Sequence, residues 1–175
     1  MIIRELARDE IEDIWGIDRS ETIENVYYLR DKALVLEAEH YDMPGWPPGE
    51  AERYTPILCD CFDRDGTFYG AFEGSEMVGV AVLESKFIGK AKDQLQLKFM
   101  SVDSGYRKKG MGKVLFEKAV ERAETLGARR LYISATPSEN TVNFYLHMGC
   151  EVTGEIDREL FELEPEDIHL EYRIQ

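Results

Sequence analysis

A glycine- and lysine-rich segment joins an apolar, strand-like run to the most regular helical pattern of the chain. It reads Val102-Asp-Ser-Gly-Tyr-Arg107-Lys-Lys-Gly110-Met-Gly112-Lys113. The first amides of a helix have no partner within it, and the helix dipole places positive charge at that end. Glycines let the backbone approach a ligand closely, and four basic side chains add charge to the segment. The sequence therefore predicts a binding site for a diphosphate group at this junction.

Two other phosphate-binding loops are excluded by their own spacing rules. A Walker loop needs Lys followed by Ser or Thr directly after its second glycine, whereas Gly110 is followed by Met111 and Gly112. A dinucleotide-binding fingerprint that starts at Gly110 needs a third glycine five residues later, where the chain has Leu115. The sequence therefore predicts a phosphate loop of another kind, and the alternative is a glycine-containing turn with solvated lysines.

Hydrophobic periodicity predicts a mixed α+β fold around this junction. Apolar residues recur with helical spacing over 112–126, which predicts a helix that ends at Gly127. The other predicted helices cover 9–18, 50–63 and 138–148. The predicted strands cover 1–6, 26–29, 33–36, 67–72, 77–83, 95–102, 131–135 and 168–174, although 26–36 also fits a helix. No linker or repeat interrupts this order, so we expect one domain over residues 1–175.

The charge balance limits the classes of partner. The 175 residues carry 21 basic and 35 acidic side chains, a formal net charge of −14. An acidic surface repels the phosphate backbone of nucleic acids, so we expect no nucleic-acid binding. Nine of the basic residues but only four of the acidic ones fall within 97–130, and this local excess suits a phosphorylated ligand.

Membrane insertion, secretion and metal binding are not predicted. No apolar run approaches the roughly 18 residues of a membrane-spanning helix, and residues 1–7 do not resemble a signal peptide. Cys59 and Cys61 lack a second pair at zinc-ligand spacing, and the three histidines are scattered. We therefore expect a cytoplasmic protein with reduced thiols and no metal.

Two motifs resemble those of one enzyme superfamily. The pattern Arg107-x-x-Gly110-x-Gly112 resembles the coenzyme A pyrophosphate loop of the GNAT superfamily of N-acetyltransferases. The later block from Ser138 to Cys150, with Tyr145 followed after three residues by Gly149, resembles the next motif of that family. The resemblance covers about residues 67–155. The sequence departs from the family pattern at three positions: Ser104 replaces its proline, Ser138 its asparagine and Cys150 its aromatic residue.

The resemblance implies a mixed, mostly antiparallel central sheet that is flanked by helices and splayed at the strand before the phosphate loop. Backbone groups of Met100 and Val102 would bind the pantetheine arm and the thioester oxygen of acetyl-CoA, the implied cosubstrate. Ser138 and Asn140 would lie on the pantetheine side, and Tyr145 would lie near the sulfur. The diphosphate would be held by Arg107, Lys108, Lys109, Gly110, Met111, Gly112 and Lys113.

The implied reaction is the attack of an amine on the acetyl thioester, and it needs proton transfers. A lysine-like amine lies about three pKa units above neutral pH, so its deprotonation costs ~4 kcal/mol and a base must take the proton. Glu84, at the end of a predicted strand, and His169, in the C-terminal acidic cluster, are the candidates. The thiolate that departs needs a proton, which Tyr145 would donate; the alternative for this ring is a packing aromatic.

The C-terminal acidic run permits two interpretations. Nine acidic residues lie between Glu151 and Glu171, against the single basic residue Arg158. The run is either a solvated face or a negative rim that attracts a cationic amine. Trp46, in a proline- and glycine-rich loop, would cover either a substrate or the core.

Three functional hypotheses follow from these motifs. The first is an acetyl-CoA-dependent N-acetyltransferase that acts on a small, cationic primary amine. The second is acetylation of a protein lysine or N-terminus. The third is an acyl-CoA sensor without catalytic activity, and a homodimer is compatible with each of the three.

Overall fold

The chain forms nine β-strands and four α-helices in the computed structural model, which describes all residues from Met1 to Gln175. The strands are β1 (Ile2–Glu5), β2 (Glu21–Arg30), β3 (Ala33–Met43), β4 (Thr67–Glu73), β5 (Glu76–Leu83), β6 (Gln94–Val102), β7 (Arg130–Ala135), β8 (Glu151–Val152) and β9 (Ile168–Arg173). The helices are α1 (Glu50–Asp63), α2 (Met111–Thr125), α3 (Glu139–His147) and α4 (Arg158–Leu163). No helix has the length and the apolar character needed to span a membrane.

Seven of the strands form one sheet in the order β1-β4-β5-β6-β7-β9-β8, and β2 and β3 form a separate two-stranded ribbon. The pair β6–β7 is parallel, and every other pair is antiparallel. Two buried clusters lie on the faces of the large sheet and include residues of the helices. The α+β class and the mixed, mostly antiparallel sheet flanked by helices are therefore confirmed.

Helix α2, which follows the phosphate loop, packs on the middle of the sheet. It buries Leu115, Phe116 and Ala119 on the face turned towards β5. A Cβ atom on Gly79 of β5 would lie only 2.7 Å from the Met111 sulfur, so glycine is needed for this close approach. The helix ends as predicted before Gly127, which has a left-handed φ of +94°.

The segment predicted as a helix over 9–18 is a 3₁₀ helix, Arg8–Gly16, rather than an α-helix. Ile11, Ile14 and Ile17 are buried. Their spacing of three residues matches the three-residue turn of a 3₁₀ helix, which explains the difference. Together with Leu58 and Cys61 of α1, they form the core on one face of the sheet.

The β2–β3 ribbon confirms the predicted hairpin but is much longer than the apolar runs suggested. Its turn residues Asp31 and Lys32 both have positive φ, as tight hairpin turns require. The ribbon packs against α3, since the Tyr27 hydroxyl donates to Asn143 at 2.6 Å. The predicted C-terminal strand is present as β9, and residues 151–167, for which only an acidic run was predicted, also form β8 and α4.

Candidate active site

Strands β6 and β7 separate, so that a groove opens between them. The two strands pair only from Gln94 to Gln96. On its other side β6 stays paired with β5 up to Val102, but the register shifts between Leu97 and Phe99 and leaves Lys98 as a bulge. A bulge bends its strand and increases the local twist, and this bend turns β6 away from β7. The splay implied by the resemblance is present at the expected strand.

Backbone groups of β6 point into this groove. The Asp103 amide donates to the Val78 carbonyl of β5 at 2.9 Å. Because neighbouring residues of a strand direct their backbone groups to opposite sides, Met100 and Val102 direct theirs towards the groove. The Val102 carbonyl already accepts a hydrogen bond from Arg107 Nε at 3.0 Å. The Val102 amide and both backbone groups of Met100 are therefore the ones available to a ligand.

The phosphate loop presents backbone amides at the start of α2. Gly110 is the N-cap residue, with φ +87° and no side-chain cap. The amide of Val114 donates to the Gly110 carbonyl at 3.2 Å, which closes the first helical turn. The amides of Met111, Gly112 and Lys113 precede this bond and have no acceptor within the helix. Free amides at a helix N-terminus have the geometry that suits an anion, and the anion site itself stays a prediction.

The basic side chains of the loop differ in what they contact. Arg107 donates to the carbonyls of Val102 and Ser20, at 3.0 and 2.8 Å, and so ties the loop to the segment before β2. Lys109 donates to the Gly105 carbonyl at 2.7 Å. Lys108 is exposed and makes neither a hydrogen bond nor an ion pair. The backbone amides, rather than the guanidinium of Arg107, are therefore the groups that are free to hold an anion.

The groove leads into a cavity of about 450 Å³. One wall consists of β6 and the end of β7, and the other consists of α1, α4 and the residues just before β9. Trp46 lines the cavity and also stacks on Phe99, with ring centroids 5.7 Å apart. Trp46 therefore covers part of the core, as one interpretation of this loop tryptophan held, and it also forms part of the cavity wall.

Tyr145 reaches the cavity from α3. Its ring packs between Phe116 and Phe144, with centroids at 6.1 and 5.2 Å. The hydroxyl has no hydrogen-bond partner, yet no fully buried polar side-chain atom of the protein lacks one, so the hydroxyl lies at the cavity surface. Burial raises the pKa of Tyr145, and the phenol stays protonated at neutral pH. Tyr145 is therefore a packing residue that also presents a proton donor.

Glu84 does not line the cavity. Arg64 pairs with its carboxylate through two contacts of 2.7 and 3.1 Å, and Lys98 approaches to 3.5 Å. These two cations and the amide of Ser85 hold the pKa of Glu84 below its usual value, against the effect of burial. A carboxylate stabilised in this way is a poor proton acceptor, and this placement assigns Glu84 to an ion-pair network beneath the bulge.

His169 is also placed away from the cavity. Its Nδ1 is 2.7 Å from the Tyr132 hydroxyl, and its Nε2 is 3.2 Å from the Glu164 carbonyl. Burial lowers the pKa of His169, so the ring is neutral and both nitrogens are occupied. This geometry suits a residue that positions the turn between Glu164 and Asp167, and it does not favour a base.

Asp167 is the carboxylate that lies where a base is needed, in the cavity that neither Glu84 nor His169 lines. It lines the cavity, and Ser134 of β7 donates a hydrogen bond to its Oδ2 at 2.8 Å. No lysine or arginine forms an ion pair with it. Burial, followed by Glu164 and Glu166, raises the pKa of Asp167 to about 6, while the Ser134 hydrogen bond and Arg19 act in the opposite direction. At neutral pH this carboxylate is ionised and can accept a proton from an amine.

The two polar residues predicted beside the pantetheine arm are engaged with the protein. Ser138 is buried and donates to Thr141 Oγ1 at 3.0 Å, and Asn140 donates to Glu21 of β2 at 3.1 Å. Thr141 itself lines the cavity. Because its hydroxyl accepts the Ser138 proton, its own proton is available towards the groove. Sequence reasoning missed Thr141, although its spacing of four residues from Tyr145 places both on one helix face.

Comparisons with known proteins agree with this geometry. The model described as "Acetyltransferase (GNAT) family" matches residues 31–150. N-acetyltransferase 8F1 of Rattus norvegicus is 33% identical over 92 residues, which are 51% of this chain and 42% of that protein. The chain thus spans less than half the length of this curated relative.

Solved structures share the fold at low sequence identity. Nourseothricin acetyltransferase superposes with a TM-score of 0.73 at 17% identity, over 99% of this chain and 98% of that one. PaiA N-acetyltransferase from Thermoplasma acidophilum, solved in complex with coenzyme A, gives a TM-score of 0.64 at 17% identity, over 98% of both chains. Since the family match spans more than half of the residues, and the groove, loop and cavity follow in the expected order, the chain belongs to the acetyltransferase (GNAT) family.

Proposed function

We propose that this chain is an N-acetyltransferase that transfers an acetyl group from acetyl-CoA to the primary amine of a small molecule, and that residues 1–175 act as one domain. The observation that carries the proposal is the continuity of the site. The free amides of α2 lead into the β6–β7 groove, and the groove opens onto the cavity where Tyr145 and Asp167 lie.

The residues of the groove fit coenzyme A. The amides of Met111, Gly112 and Lys113 would hold the diphosphate, with Lys108 adding charge. The open backbone groups of Met100 and Val102 match the amide groups of a pantetheine arm, and Thr141 offers a hydroxyl in place of the usual asparagine. When bound, acetyl-CoA supplies an acetyl group on a thioester, which is reactive towards a neutral amine.

Asp167 and Tyr145 divide the proton transfers between them. Asp167 takes one proton from the ammonium group, so that the nitrogen lone pair can form the new C–N bond as the C–S bond breaks. Tyr145 donates a proton to the sulfur that leaves. The second proton that the nitrogen loses returns through water to Tyr145 and restores its phenol. The first proton passes from Asp167 to solvent, so the reaction releases one proton in total.

The cavity favours a small acceptor over a protein acceptor, and its polar groups favour an enzyme over an acyl-CoA sensor. A lysine of a folded protein would have to enter a cavity that α1 and α4 cover on one side, which suits a free small molecule better. An acyl-CoA sensor has no need of a carboxylate without an ion-pair partner. Nor does it need a tyrosine hydroxyl without a hydrogen-bond partner in the same cavity. The cytoplasmic location and the homodimer stay predictions.

The proposal is tested by two measurements on the purified protein. Calorimetric titration with acetyl-CoA tests the groove, and release of free coenzyme A against a panel of primary amines tests the chemistry. We expect binding together with amine-dependent release. Tight binding without release from any amine would replace the enzyme by the sensor.

Replacing Gly110 by valine is expected to weaken acetyl-CoA binding by about ten- to a hundred-fold. Residue 110 has a left-handed φ of +87°, which a β-branched side chain does not adopt without strain, so the turn that aims the α2 amides must move. Each amide bond to a charged oxygen contributes about 1.5–3 kcal/mol. Calorimetric titration with acetyl-CoA measures the effect.

The matched control for this variant is Lys108→Asn. Lys108 also has positive φ, +60°, which asparagine tolerates, so this change removes charge without moving the backbone. We expect a loss of affinity of only a few-fold that shrinks as salt is added. An affinity of Gly110→Val equal to that of the unchanged protein would show that the loop does not bind the diphosphate.

A further inference from the structure

The side chain of one arginine in the cavity wall has neither a hydrogen-bond partner nor an ion-pair partner in the protein. Eight of the 12 arginines form ion pairs with carboxylates. Arg107 and Arg122 donate hydrogen bonds to carbonyl or hydroxyl oxygens instead. The side chains of Arg19 and Arg129 make neither a hydrogen bond nor an ion pair, and of these two only Arg19 lines the cavity. Arg19 therefore lines the cavity without an ion-pair partner, although its charge acts on Asp167, and a guanidinium in this state can bind an anionic ligand.

Arg19 is held in place by the aromatic wall. Its guanidinium lies 5.3 Å from the centre of the Trp46 ring, within the range of a cation–π contact. Trp46 is fixed in turn by a hydrogen bond of 2.9 Å from its Nε1 to the Ile17 carbonyl and by its stacking on Phe99. A guanidinium held over a ring keeps its N–H groups free to bind a carboxylate through two hydrogen bonds.

The other charges in the cavity are already compensated or explained. Lys98 faces Glu84 at 3.5 Å, and Arg53 donates to Glu164 at 3.3 Å. Glu50 lies in the first turn of α1, where the helix dipole stabilises a negative charge. One cation, Arg19, and one anion, Asp167, are left to meet the charges of a ligand.

We propose that the acceptor is an amino acid or a similar amino carboxylate, with its carboxylate on Arg19, its amine at Asp167 and an apolar or aromatic side chain against Trp46 and Phe99. This proposal rests on the proposed acetyltransferase function and narrows its substrate class. It differs from the purely cationic amine that the C-terminal acidic run suggested. Only Glu164 and Asp167 of that run line the cavity, and a polyamine would bring further positive charge to Arg19.

The test compares amino acids with the amines that lack only the carboxylate. L-Phenylalanine is paired with 2-phenylethylamine, and L-leucine with 3-methylbutylamine, in the coenzyme A release assay with the full chain. We expect kcat/KM to be about ten- to a hundred-fold higher for the amino acid of each pair, as a charge-assisted bidentate contact provides. In Arg19→Gln this preference should fall to near unity, and in Arg19→Lys it should be partly retained.

Arg129→Gln is the matched control, because Arg129 is exposed, has no partner and does not line the cavity. It should keep the full preference for the amino acid. Equal turnover of both members of each pair by the unchanged protein would overturn the carboxylate site and leave the acetyltransferase intact. Turnover of other amines of the panel but of neither pair would overturn the carboxylate site alone, whereas binding of acetyl-CoA with no turnover of any amine would overturn both proposals.

Discussion

Replacing Asp167 by asparagine is expected to lower kcat by about 10²- to 10⁴-fold, the usual contribution of a positioned general base. Asparagine keeps an oxygen that can accept the hydrogen bond of Ser134, so the local geometry is preserved and only the proton acceptor is lost. Affinity for acetyl-CoA should stay nearly constant. Turnover measured at saturating amine, together with calorimetric titration, checks both parts.

The pH profile identifies the group that is lost. The pKa of Asp167 is raised to about 6, so activity of the unchanged protein should rise with pH through that value. The variant should lack this limb. Glu166→Gln is the matched control, because Glu166 is the exposed neighbour: the limb should persist and move slightly to lower pH, since the charge of Glu166 contributes to the raised pKa of Asp167. A limb near pH 6 that persists in Asp167→Asn would assign the titration to another group.

The same substitution should stabilise the protein at neutral pH. A carboxyl whose pKa is raised in the folded state binds its proton more tightly there than in the unfolded chain, so folding becomes less favourable as pH rises from about 4 to about 6. Asparagine does not titrate and avoids this loss. The melting temperature of Asp167→Asn relative to the unchanged protein should therefore be higher at pH 8 than at pH 4. Equal differences at the two pH values would contradict the raised pKa.

Replacing Tyr145 by phenylalanine should lower turnover by about 10²-fold or more while acetyl-CoA affinity stays nearly constant. The ring keeps its contacts with Phe116 and Phe144, and only the hydroxyl at the cavity surface is removed. An interaction lost mainly from the transition state gives this pattern. Parallel measurements of kcat and of the coenzyme dissociation constant provide the test.

Two further variants separate catalysis from packing. Tyr172→Phe alters a tyrosine that also packs on Phe116, at 5.2 Å, but does not line the cavity, and it should leave turnover unchanged. Tyr145→Ala should lower the melting temperature as well as turnover, because it empties a buried site. Full turnover in Tyr145→Phe would transfer the protonation of sulfur to water or to another residue.

The sequence predicted the half of the site that depends on local pattern. The helical stripe over 112–126 and the glycines at 110 and 112 fix the direction of α2 and the free amides at its start, and both are local properties. The bulge at Lys98 was not predictable in this way, because it is a property of the register between two strands that only the folded sheet defines. The family resemblance implied that β6 and β7 separate, and the bulge at Lys98 explains why they do.

The proton acceptor could not be chosen from the sequence for a related reason. Asp167 lies in a run of carboxylates that look alike along the chain, and only the pairing of β9 with β7 turns this one towards Ser134. Glu84 looked suitable at the end of a strand, but Arg64, which follows α1, reaches it across the fold. Which carboxylates are paired and which are free is decided by such long-range contacts.

The short contact between β6 and β7 also has a mechanical consequence. The large sheet consists of two parts, β1-β4-β5-β6 and β7-β9-β8, whose strands pair with each other only from Gln94 to Gln96. Rotation of one part against the other about these pairs would break few strand-to-strand hydrogen bonds, so we expect the groove to change its width more easily than the paired strands separate. A ligand that bonds to both edges would hold the two parts together, and the protein should become stiffer as a whole when its groove is filled.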